Sequence, residues 1–596
     1  LYRPANVTQP LPTILYVCGH ANVKKDGVSL GNKTAYQHHG LWFARNGYVC
    51  LAIDTIQLGE IEGIHHGTYR HGMWWWNNRG YTPAGVEAWN CIRALDYLET
   101  RPEVDAKRFG VTGRSGGGAY SWWTAALDDR IAAAVPVAGI TSLHNHVVDG
   151  CVEGHCDCMF MVNTYQWDFP MLAALVAPRP LLISNTDKDG IFPLEGVVDV
   201  HRQVRRIYQL HNGSANLGLQ ITEGPHKDTQ ELHIHAFRWF NRHLRDTDEM
   251  IDIVAIKAFE PSQLKVMDAL PSDERVTSIH ESFVPAYDPE QFPAKADNFK
   301  EFRSESLALL AAKTFRAWPK DQDADAVDVE LAWSCTADGV RIRKFEYTSQ
   351  QPFRLPIYLL DALPASDANP NRPTSISDLV VLNQDEYEKF ATAISHALSD
   401  HSVADKDESQ QRGGSDAWKE LVNRVSKKPG YAIGFVALRG IGPTQWGKDE
   451  RADTHIRRRF MLLGQTEASM RVWDLRRAIA SIAELGMNDP SGMTLQANGD
   501  AAPLAAYASL YEPNIKGLHL ENVPTRNRFA PDMLNVSRFL EMPQLVLLAG
   551  ANVKEMTIVT GQKDLSDWKL LAARLEKLRS ESPETMNGQI KIELAD

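Results

Sequence analysis

One short turn constrains the fold of this chain more than any other feature of its sequence. The residues from Gly113 to Gly117 fit the pattern G-x-S-x-G, between a predicted strand, Arg108 to Thr112, and a helix of small residues. A serine in so sharp a turn is crowded unless its neighbours are glycines, and the turn lifts its hydroxyl clear of the sheet. The pattern therefore predicts a mostly parallel α/β sheet with helices on both faces, and Ser115 as a nucleophile.

The residues that would activate Ser115 follow it in the order acid, histidine. Asp189 comes just after an apolar predicted strand and four residues before a proline, and Asp187 lies close enough to be confused with it. His226 follows the last predicted strand of this region. A neutral imidazole takes the proton of a serine hydroxyl while a carboxylate holds its tautomer. The order predicts Ser115, Asp189 and His226 as catalytic residues; the alternative is a helix-capping acid and a histidine on a polar loop.

Two backbone N–H groups are predicted to form an oxyanion hole, which stabilises negative charge on a reacting carbonyl oxygen. One belongs to Gly116, directly after the serine. The other belongs to the loop Cys18 to Ala21, which follows a predicted strand, and Ala21 or His20 would supply it. We expect the His20 side chain to orient the backbone rather than to act as a base or a metal ligand.

Residues 1 to about 248 resemble a known group of enzymes, the α/β-hydrolase carbohydrate esterases classed with acetyl xylan esterases and cephalosporin-C deacetylases. The resemblance is carried by the Cys18–Ala21 loop, the strand Tyr48 to Asp54, the turn around Ser115, the loop from Asp189 to Pro193, and Gly224-Pro225-His226. It implies an α/β-hydrolase fold and removal of acetyl groups from sugars through an acyl-serine intermediate. No metal or cofactor is predicted.

Two stretches depart from the pattern of that family, and the first runs from Glu60 to Tyr81. It contains Trp74, Trp75 and Trp76, whose aromatic faces would stack on sugar rings. The alternative is a packed lid with at least one tryptophan in the core, because adjacent residues do not all face one way.

Arg114 lies in the turn, directly before the serine. It would bind a substrate carboxylate, or brace the turn through a salt bridge, and we favour the brace.

The second departure, His144 to Trp167, is rich in cysteine and histidine. Its Cys151, Cys156 and Cys158 do not have a usual zinc spacing, and three interpretations stay open: a metal site, a disulfide from Cys151, or buried thiols. Glu153 is a reserve candidate for the triad acid.

Size and charge limit the partners. The 596 residues, 43% of them hydrophobic, exceed one core and predict at least two domains. The net charge of −12, with no basic block, argues against nucleic acid and anionic membranes. The chain begins at Leu1, so we expect further strands and an export signal upstream. The implied substrate favours a secreted or periplasmic protein, with the cytoplasm not excluded.

The predicted domains are residues 1–248, catalytic; 249–325, a connector with a helix from Asn298 to Ala317; and 326–596, a degenerate hydrolase-like domain. The last region repeats the order of elements of the first. Gly499 stands where Ser115 stands, Asp564 matches the acid, and no histidine follows the last predicted strand, Gln589 to Leu594. We therefore predict a non-catalytic second copy, the alternative being an unrelated α/β domain.

The predicted function is that of a serine carboxylester hydrolase that removes acetyl groups from polysaccharide. Esters of uronates, either methyl or aryl, are an alternative substrate class, and a serine oligopeptidase-type hydrolase shares the same turn and triad order. No repeated propeller blades, which such peptidases usually carry, are evident. A third alternative is a glycan-binding scaffold with a vestigial triad, against which the intact set of three residues speaks.

Overall fold

A computed structural model describes residues 1–159, 161–293, 295–320, 324–363, 375–399, 408–428, 430–447, 449–581 and 588–595. The chain forms two compact units. The first consists of Leu1–Pro285 and Thr454–Gly464, and the second of Ala286–Asp453 and Gln465–Asp596. The first unit thus extends beyond residue 248 and includes a short segment from much later in the chain. No helix among the described residues is both long enough and apolar enough to cross a bilayer.

The first unit alternates strands and helices. Its strands are β1 Leu11–Val17, β2 Lys24–Lys25, β3 Val28–Ser29, β4 Val49–Ile53, β5 Val104–Arg114, β6 Ile131–Val137, β7 Leu181–Lys188 and β8 Leu217–Pro225. Its helices are α1 Gln37–Arg45, α2 Gly67–His71, α3 Trp75–Arg79, α4 Pro83–Glu99, α5 Gly116–Leu127, α6 Leu143–Val147, α7 Phe169–Ala174, α8 Leu194–Leu210, α9 Gln230–Arg245 and α10 Ile279–Ser282.

Six parallel strands form the main sheet of the first unit, in the order β4-β1-β5-β6-β7-β8. Both faces are covered, as the apolar sequences of the central strands require. Along β1, Leu15 and Val17 pack with α4, α5 and α8, whereas Ile14 and Tyr16 pack with α1 and α9. The strand order reverses between β1 and β5, and in such sheets the crevice at the carboxyl ends of the strands binds ligands.

The second unit has a larger sheet. Its strands are β9 Glu330–Ala337, β10 Val340–Gln350, β11 Phe353–Ala362, β12 Ser375–Leu382, β13 Tyr431–Ala437, β14 Met493–Asn498, β15 Ile515–Glu521, β16 Glu555–Thr560 and β17 Gln589–Leu594. Its helices are α11 Ala296–Leu309, α12 Gln384–Ser399, α13 Glu408–Ser426, α15 Glu467–Glu484, α16 Ala501–Ser509, α17 Met542–Asn552 and α18 Leu565–Glu581. Helix α14, Glu450–Leu462, crosses the boundary between the units.

The parallel strands of the second unit repeat the order found in the first. They run β13-β12-β14-β15-β16-β17, and three antiparallel strands, β11, β10 and β9, extend the sheet beyond β13. Strand β12 thus corresponds to β1, β13 to β4 and β14 to β5, as the repeat in the sequence predicts. The predicted fold class, an α/β-hydrolase sheet followed by a second hydrolase-like domain, is confirmed.

Candidate active site

The turn after β5 holds Ser115 in an unusual backbone conformation. Its φ is 60° and its ψ is −120°, and its N–H donates to the carbonyl of Val137 at 2.9 Å. A positive φ is costly for a residue with a Cβ and persists where the surroundings enforce it. Gly117 allows the turn to form, because a Cβ there would lie 1.9 Å from the carbonyl oxygen of Val17. The glycines of the motif therefore let α5 approach β1 closely.

Three side chains from the carboxyl ends of β5, β7 and β8 form a continuous hydrogen-bonded chain. Ser115 Oγ lies 2.9 Å from His226 Nε2, and His226 Nδ1 lies 2.7 Å from Asp189 Oδ2. The carboxylate is fully buried, and its other oxygen accepts the N–H groups of Ile191 and Phe192 at 2.8 and 2.9 Å. These bonds hold the acid in one orientation, which leaves His226 Nε2 directed at the serine.

The two other carboxylates considered for this place lie elsewhere. Asp187 accepts the N–H of Gly224 at 2.8 Å and is exposed. Glu153 forms an ion pair with Arg459. Asp189 is therefore the acid that the structure brings to His226.

The first predicted oxyanion donor is the N–H of Gly116, and this role stays a prediction. Gly116 begins α5, and the first N–H groups of a helix have no acceptor within it. The imidazole of His20 packs against Gly116, since a Cβ on this glycine would lie 3.1 Å from His20 Nδ1. Ala21 is the next residue on that loop, and its role as the second donor stays a prediction.

The cysteine-rich loop reaches His20. Cys158 Sγ lies 3.3 Å from His20 Nε2, and Cys156 Sγ lies 2.8 Å from Gln57 Oε1. All seven cysteines are free, including Cys151, so the disulfide interpretation is not realised. Burial raises the pKa of both the Cys156 and the Cys158 thiol. For Cys156, hydrogen bonds with Cys158, His20 and His65 outweigh burial, so its pKa falls well below the ordinary value. The pKa of Cys158 rises well above the ordinary value.

The three tryptophans differ in exposure. Trp75 and Trp76 are 9% and 1% exposed and pack in a small core with Ile56, Tyr81 and other apolar residues of the first unit. Neither offers a free face to a sugar ring, so we withdraw them as substrate contacts. Trp74 is half-buried, and the guanidinium of Arg457 covers one ring face at 3.9 Å.

Arg114 does not point toward the triad partners of Ser115. Its guanidinium interacts with the hydroxyl of Tyr36, and it lines a small cavity with Tyr16 and His39, on the face of the sheet that α1 and α9 cover. This placement corrects its assignment as a substrate-binding residue. It fits a bracing role, although the partner is a tyrosine rather than a carboxylate.

Comparisons with known proteins agree with the geometry. Residues 35–195 match the prolyl oligopeptidase family, peptidase family S9. YtaP of Bacillus subtilis (strain 168), named as a hydrolase, is 27% identical over 199 residues, which cover 33% of this chain and 66% of YtaP. Acetyl esterase Axe7A of Xylanibacter ruminicola is 51% identical over 45 residues, 8% of this chain and 10% of that protein.

A third relative is the 4-O-methyl-glucuronoyl methylesterase of Phanerochaete carnosa, 24% identical over 177 residues, 25% of this chain and 44% of that protein. The chain thus spans between 10 and 66% of the lengths of these relatives. A solved glucuronoyl esterase from Caldicellulosiruptor kristjansonii matches at 20% identity and a TM-score of 0.31, over 46% of this chain and 76% of that one. The resemblance to carbohydrate esterases that the motifs indicate is confirmed by the named relatives.

A segment that sequence reasoning did not connect with the site packs on both departures from the family pattern. Thr454–Gly464 belongs to the first unit, although it begins about 340 residues after the triad serine. Arg458 is buried, donates to the carbonyl of His155 and lies 3.9 Å from Asp157. Asn163 donates to the carbonyl of Leu462 at 2.9 Å. The tryptophan stretch and the cysteine stretch are therefore held by a common element.

Sequence reasoning also missed a cluster of histidines around Asp228. Among the described residues, four groups of at least three side chains have donor atoms close enough to hold a metal ion. Three groups have three members each and involve Cys151, Cys156 or Cys158. The fourth consists of His38, His39, Asp228 and His233, and no signal in the sequence links α1 to the loop after β8. Burial lowers the pKa of His39 to about 3.

Proposed function

We propose that this chain is a serine carboxylester hydrolase that removes acetyl groups from polysaccharide. One observation carries the proposal: the unbroken chain of contacts from Ser115 Oγ to His226 Nε2, at 2.9 Å, and from His226 Nδ1 to Asp189 Oδ2, at 2.7 Å. A serine hydroxyl is a poor nucleophile until a neutral imidazole accepts its proton. The same arrangement of side chains performs acyl transfer on several unrelated folds.

The proposed reaction has two acyl-transfer steps. Ser115 Oγ attacks the ester carbon while its proton moves to His226 Nε2, and the imidazolium then protonates the leaving sugar oxygen. Asp189 stabilises the imidazolium and keeps Nδ1 protonated. In the second step His226 removes a proton from water, whose oxygen attacks the acyl-serine and releases acetate. The catalytic residues act in both steps, and the serine returns to its starting state.

Negative charge develops on the carbonyl oxygen in both steps. The N–H of Gly116, at the start of α5, is the proposed first donor to this oxygen, and the N–H of Ala21 is the proposed second. Removal of one such donor costs about 10²- to 10³-fold in rate in enzymes of this kind. The positive end of the α5 dipole adds to the stabilisation.

An acetyl group as the acyl portion is supported by the name of one relative, an acetyl esterase. Of the three tryptophans, Trp74 is the one that is not buried, and we propose it as a sugar contact. Arg457 stacks on one face of this ring, so we propose that a sugar would contact the other face.

Two other functions have specific support. A methyl ester of a uronic acid is suggested by the relative named 4-O-methyl-glucuronoyl methylesterase, although Arg114 is turned away from the place where it would bind a carboxylate. Peptide hydrolysis is suggested by the match of residues 35–195 to the prolyl oligopeptidase family. The same triad chemistry cleaves both esters and peptides, so the presence of a triad does not discriminate between these substrates.

The test is a panel of substrates with one matched variant. Acetate release from acetylated xylan, methanol release from a methyl glucuronate ester and cleavage of a proline-containing peptide are measured for the chain and for Ser115→Ala. The proposal expects acetate release that Ser115→Ala abolishes. Hydrolysis of only the methyl ester, or of only the peptide, would replace the acetylesterase assignment by the corresponding alternative.

The second unit is proposed to be non-catalytic, since Gly499 occupies the position of the nucleophile. The acidic charge of the chain supports a substrate that is not nucleic acid. A polysaccharide substrate supports export from the cytoplasm, which fractionation of the native source would test.

A further inference from the structure

A set of four polar side chains on the α1/α9 face of the first sheet takes no part in the proposed reaction. His38 and His39 are consecutive residues of α1, His233 lies on α9, and Asp228 lies on the loop between β8 and α9. We call these four residues the histidine cluster. The three imidazoles are buried, with side-chain exposures of 10%, 8% and 5%. Burial of so many polar groups at one point is costly unless each has a partner.

All three histidines direct the same ring atom at the same carboxylate. Nε2 of His38 and Nε2 of His39 each lie 3.1 Å from Asp228 Oδ2, and Nε2 of His233 lies 2.7 Å from Oδ1. The four donor atoms lie within 4.8 Å of one another. In a tetrahedral zinc site with bonds of about 2.0–2.2 Å, donor atoms are separated by roughly 3.3–3.6 Å. The cluster therefore needs only small side-chain adjustments to surround one ion.

We propose that His38, His39, His233 and Asp228 bind one divalent transition-metal ion of the zinc type. Imidazole nitrogens with one carboxylate form a set of borderline ligands suited to Zn²⁺, whereas Ca²⁺ and Mg²⁺ prefer oxygen donors throughout. Four protein ligands close the coordination sphere, which is the pattern of structural rather than catalytic zinc. The ion would link α1 to α9 and to the loop that begins with His226, two residues before Asp228.

A hydrogen-bonded cluster without metal is the competing interpretation, in which each imidazole donates its Nε2–H to Asp228. Two observations favour the metal. Consecutive residues of a helix point about 100° apart, yet His38 and His39 converge on one oxygen. The rings of the three histidines are also crowded together, with centroids 4.2 to 5.1 Å apart. Hydrogen bonding to one carboxylate does not by itself require three imidazole rings packed this closely together.

The test is binding of Co²⁺ and Zn²⁺ to the full chain after removal of metals with a chelator. We expect about one ion per chain, and for Co²⁺ the visible absorption of a tetrahedral complex without a thiolate-to-cobalt charge-transfer band. His233→Ala and Asp228→Asn should each weaken binding by more than about tenfold, because even partners outside the ligand set cost 10- to 100-fold. His235→Ala, a histidine of the same helix outside the cluster, is the matched control and should bind as the unaltered chain does.

Circular dichroism of the metal-free variants separates loss of a ligand from loss of fold. As a second measurement, Zn²⁺ alone should raise the unfolding temperature of the unaltered chain, because an ion that binds only the folded state stabilises it. Absence of both binding and stabilisation would overturn the proposal. Binding with a thiolate band, unchanged by His233→Ala and Asp228→Asn, would also overturn it and assign the ion to the cysteine loop. None of these measurements depends on ester hydrolysis, so the proposed function is tested separately.

Discussion

The turn after β5 in the first unit and the turn after β14 in the second share a positive φ and an equivalent backbone hydrogen bond, but they differ in side chain. Ser115 has a φ of 60° and donates its N–H to the carbonyl of Val137 at 2.9 Å. Gly499 has a φ of 57° and donates its N–H to the carbonyl of Glu521, also at 2.9 Å. The sharp strand-to-helix turn is therefore a property of the sheet order, whereas nucleophilic chemistry needs the side chain in addition.

A second pair of positions shows the same contrast in electrostatics. Glu87 on α4 accepts the N–H of Ile56, just after β4, at 2.6 Å. Asp474 on α15 accepts the N–H of Arg439, just after β13, at 3.0 Å. Both carboxyl groups are fully buried, but Asp474 also pairs with the Arg439 guanidinium at 2.7 Å, whereas burial raises the pKa of Glu87 to about 8. The same structural position holds an ion pair in one unit and, in the other, an unpaired acid whose pKa burial raises.

The largest expected effect concerns the two turns. Ser115→Ala should reduce ester hydrolysis by about 10⁶-fold, as loss of the nucleophile does in comparable triads. Introduction of Gly499→Ser into that variant should restore nothing, because a serine hydroxyl without an imidazole partner stays a poor nucleophile. Steady-state kinetics on acetylated xylan measure both. Recovered activity in the double variant would contradict the assignment of the second unit as non-catalytic.

The triad acid should have the next largest effect. Asp189→Asn should reduce kcat by about 10⁴-fold, because the amide favours the wrong tautomer of His226. Glu153→Gln is the control, since Glu153 pairs with Arg459 and does not contact His226. We expect its kcat to be unchanged. A larger loss from Glu153→Gln than from Asp189→Asn would exchange the roles of the two acids.

The buried carboxyl groups should differ in their contribution to stability. Asp474→Asn should lower the free energy of unfolding by about 3–5 kcal/mol, because it leaves the buried Arg439 charge unpaired. Glu87→Gln should instead raise it at neutral pH, by up to about 3 kcal/mol, because the unfolded Glu87 is ionised there and the variant removes the cost of protonating it on folding. Urea unfolding followed by circular dichroism compares them. Equal effects would show that the charge states of the two positions do not differ.

The smallest effect, taken per pH unit, is a difference in the pH dependence of stability. Folded Glu87 has a pKa of about 8 and the unfolded group has one of 4.5, so the folded chain holds an extra proton between these values. Stability should therefore fall as pH rises through this interval, by at most about 1.4 kcal/mol per pH unit from this group. Glu87→Gln should flatten the dependence. An unaltered slope in thermal unfolding would show that Glu87 ionises normally.

Sequence reasoning anticipated the parts of this molecule that local signals determine. The glycines around Ser115 mark the turn, and the alternation of strands and helices sets the sheet order, which in turn brings the ends of β5, β7 and β8 together. Asp189 and His226 could be named for that reason. The correspondence of Gly499 with Ser115 follows from the same periodicity.

The remaining features depend on contacts between distant segments. His38 lies 190 residues before Asp228, and α1 meets that loop because both pack on one face of the sheet. The segment Thr454–Gly464 returns to the first unit from far along the chain. Trp75 and Trp76 lie in a short helix whose orientation the sequence does not indicate. Spacing alone also could not decide whether the cysteines pair.

The most direct test of the account is covalent labelling of the active chain with a fluorophosphonate, followed by peptide mass spectrometry. Such a reagent phosphonylates serines that a neighbouring base has activated. The account predicts one label per chain, on Ser115, and its loss in His226→Ala. A label on a serine of the second unit, or a label on Ser115 that persists in His226→Ala, would contradict the claim that the hydrogen-bonded chain in the first unit creates the nucleophile.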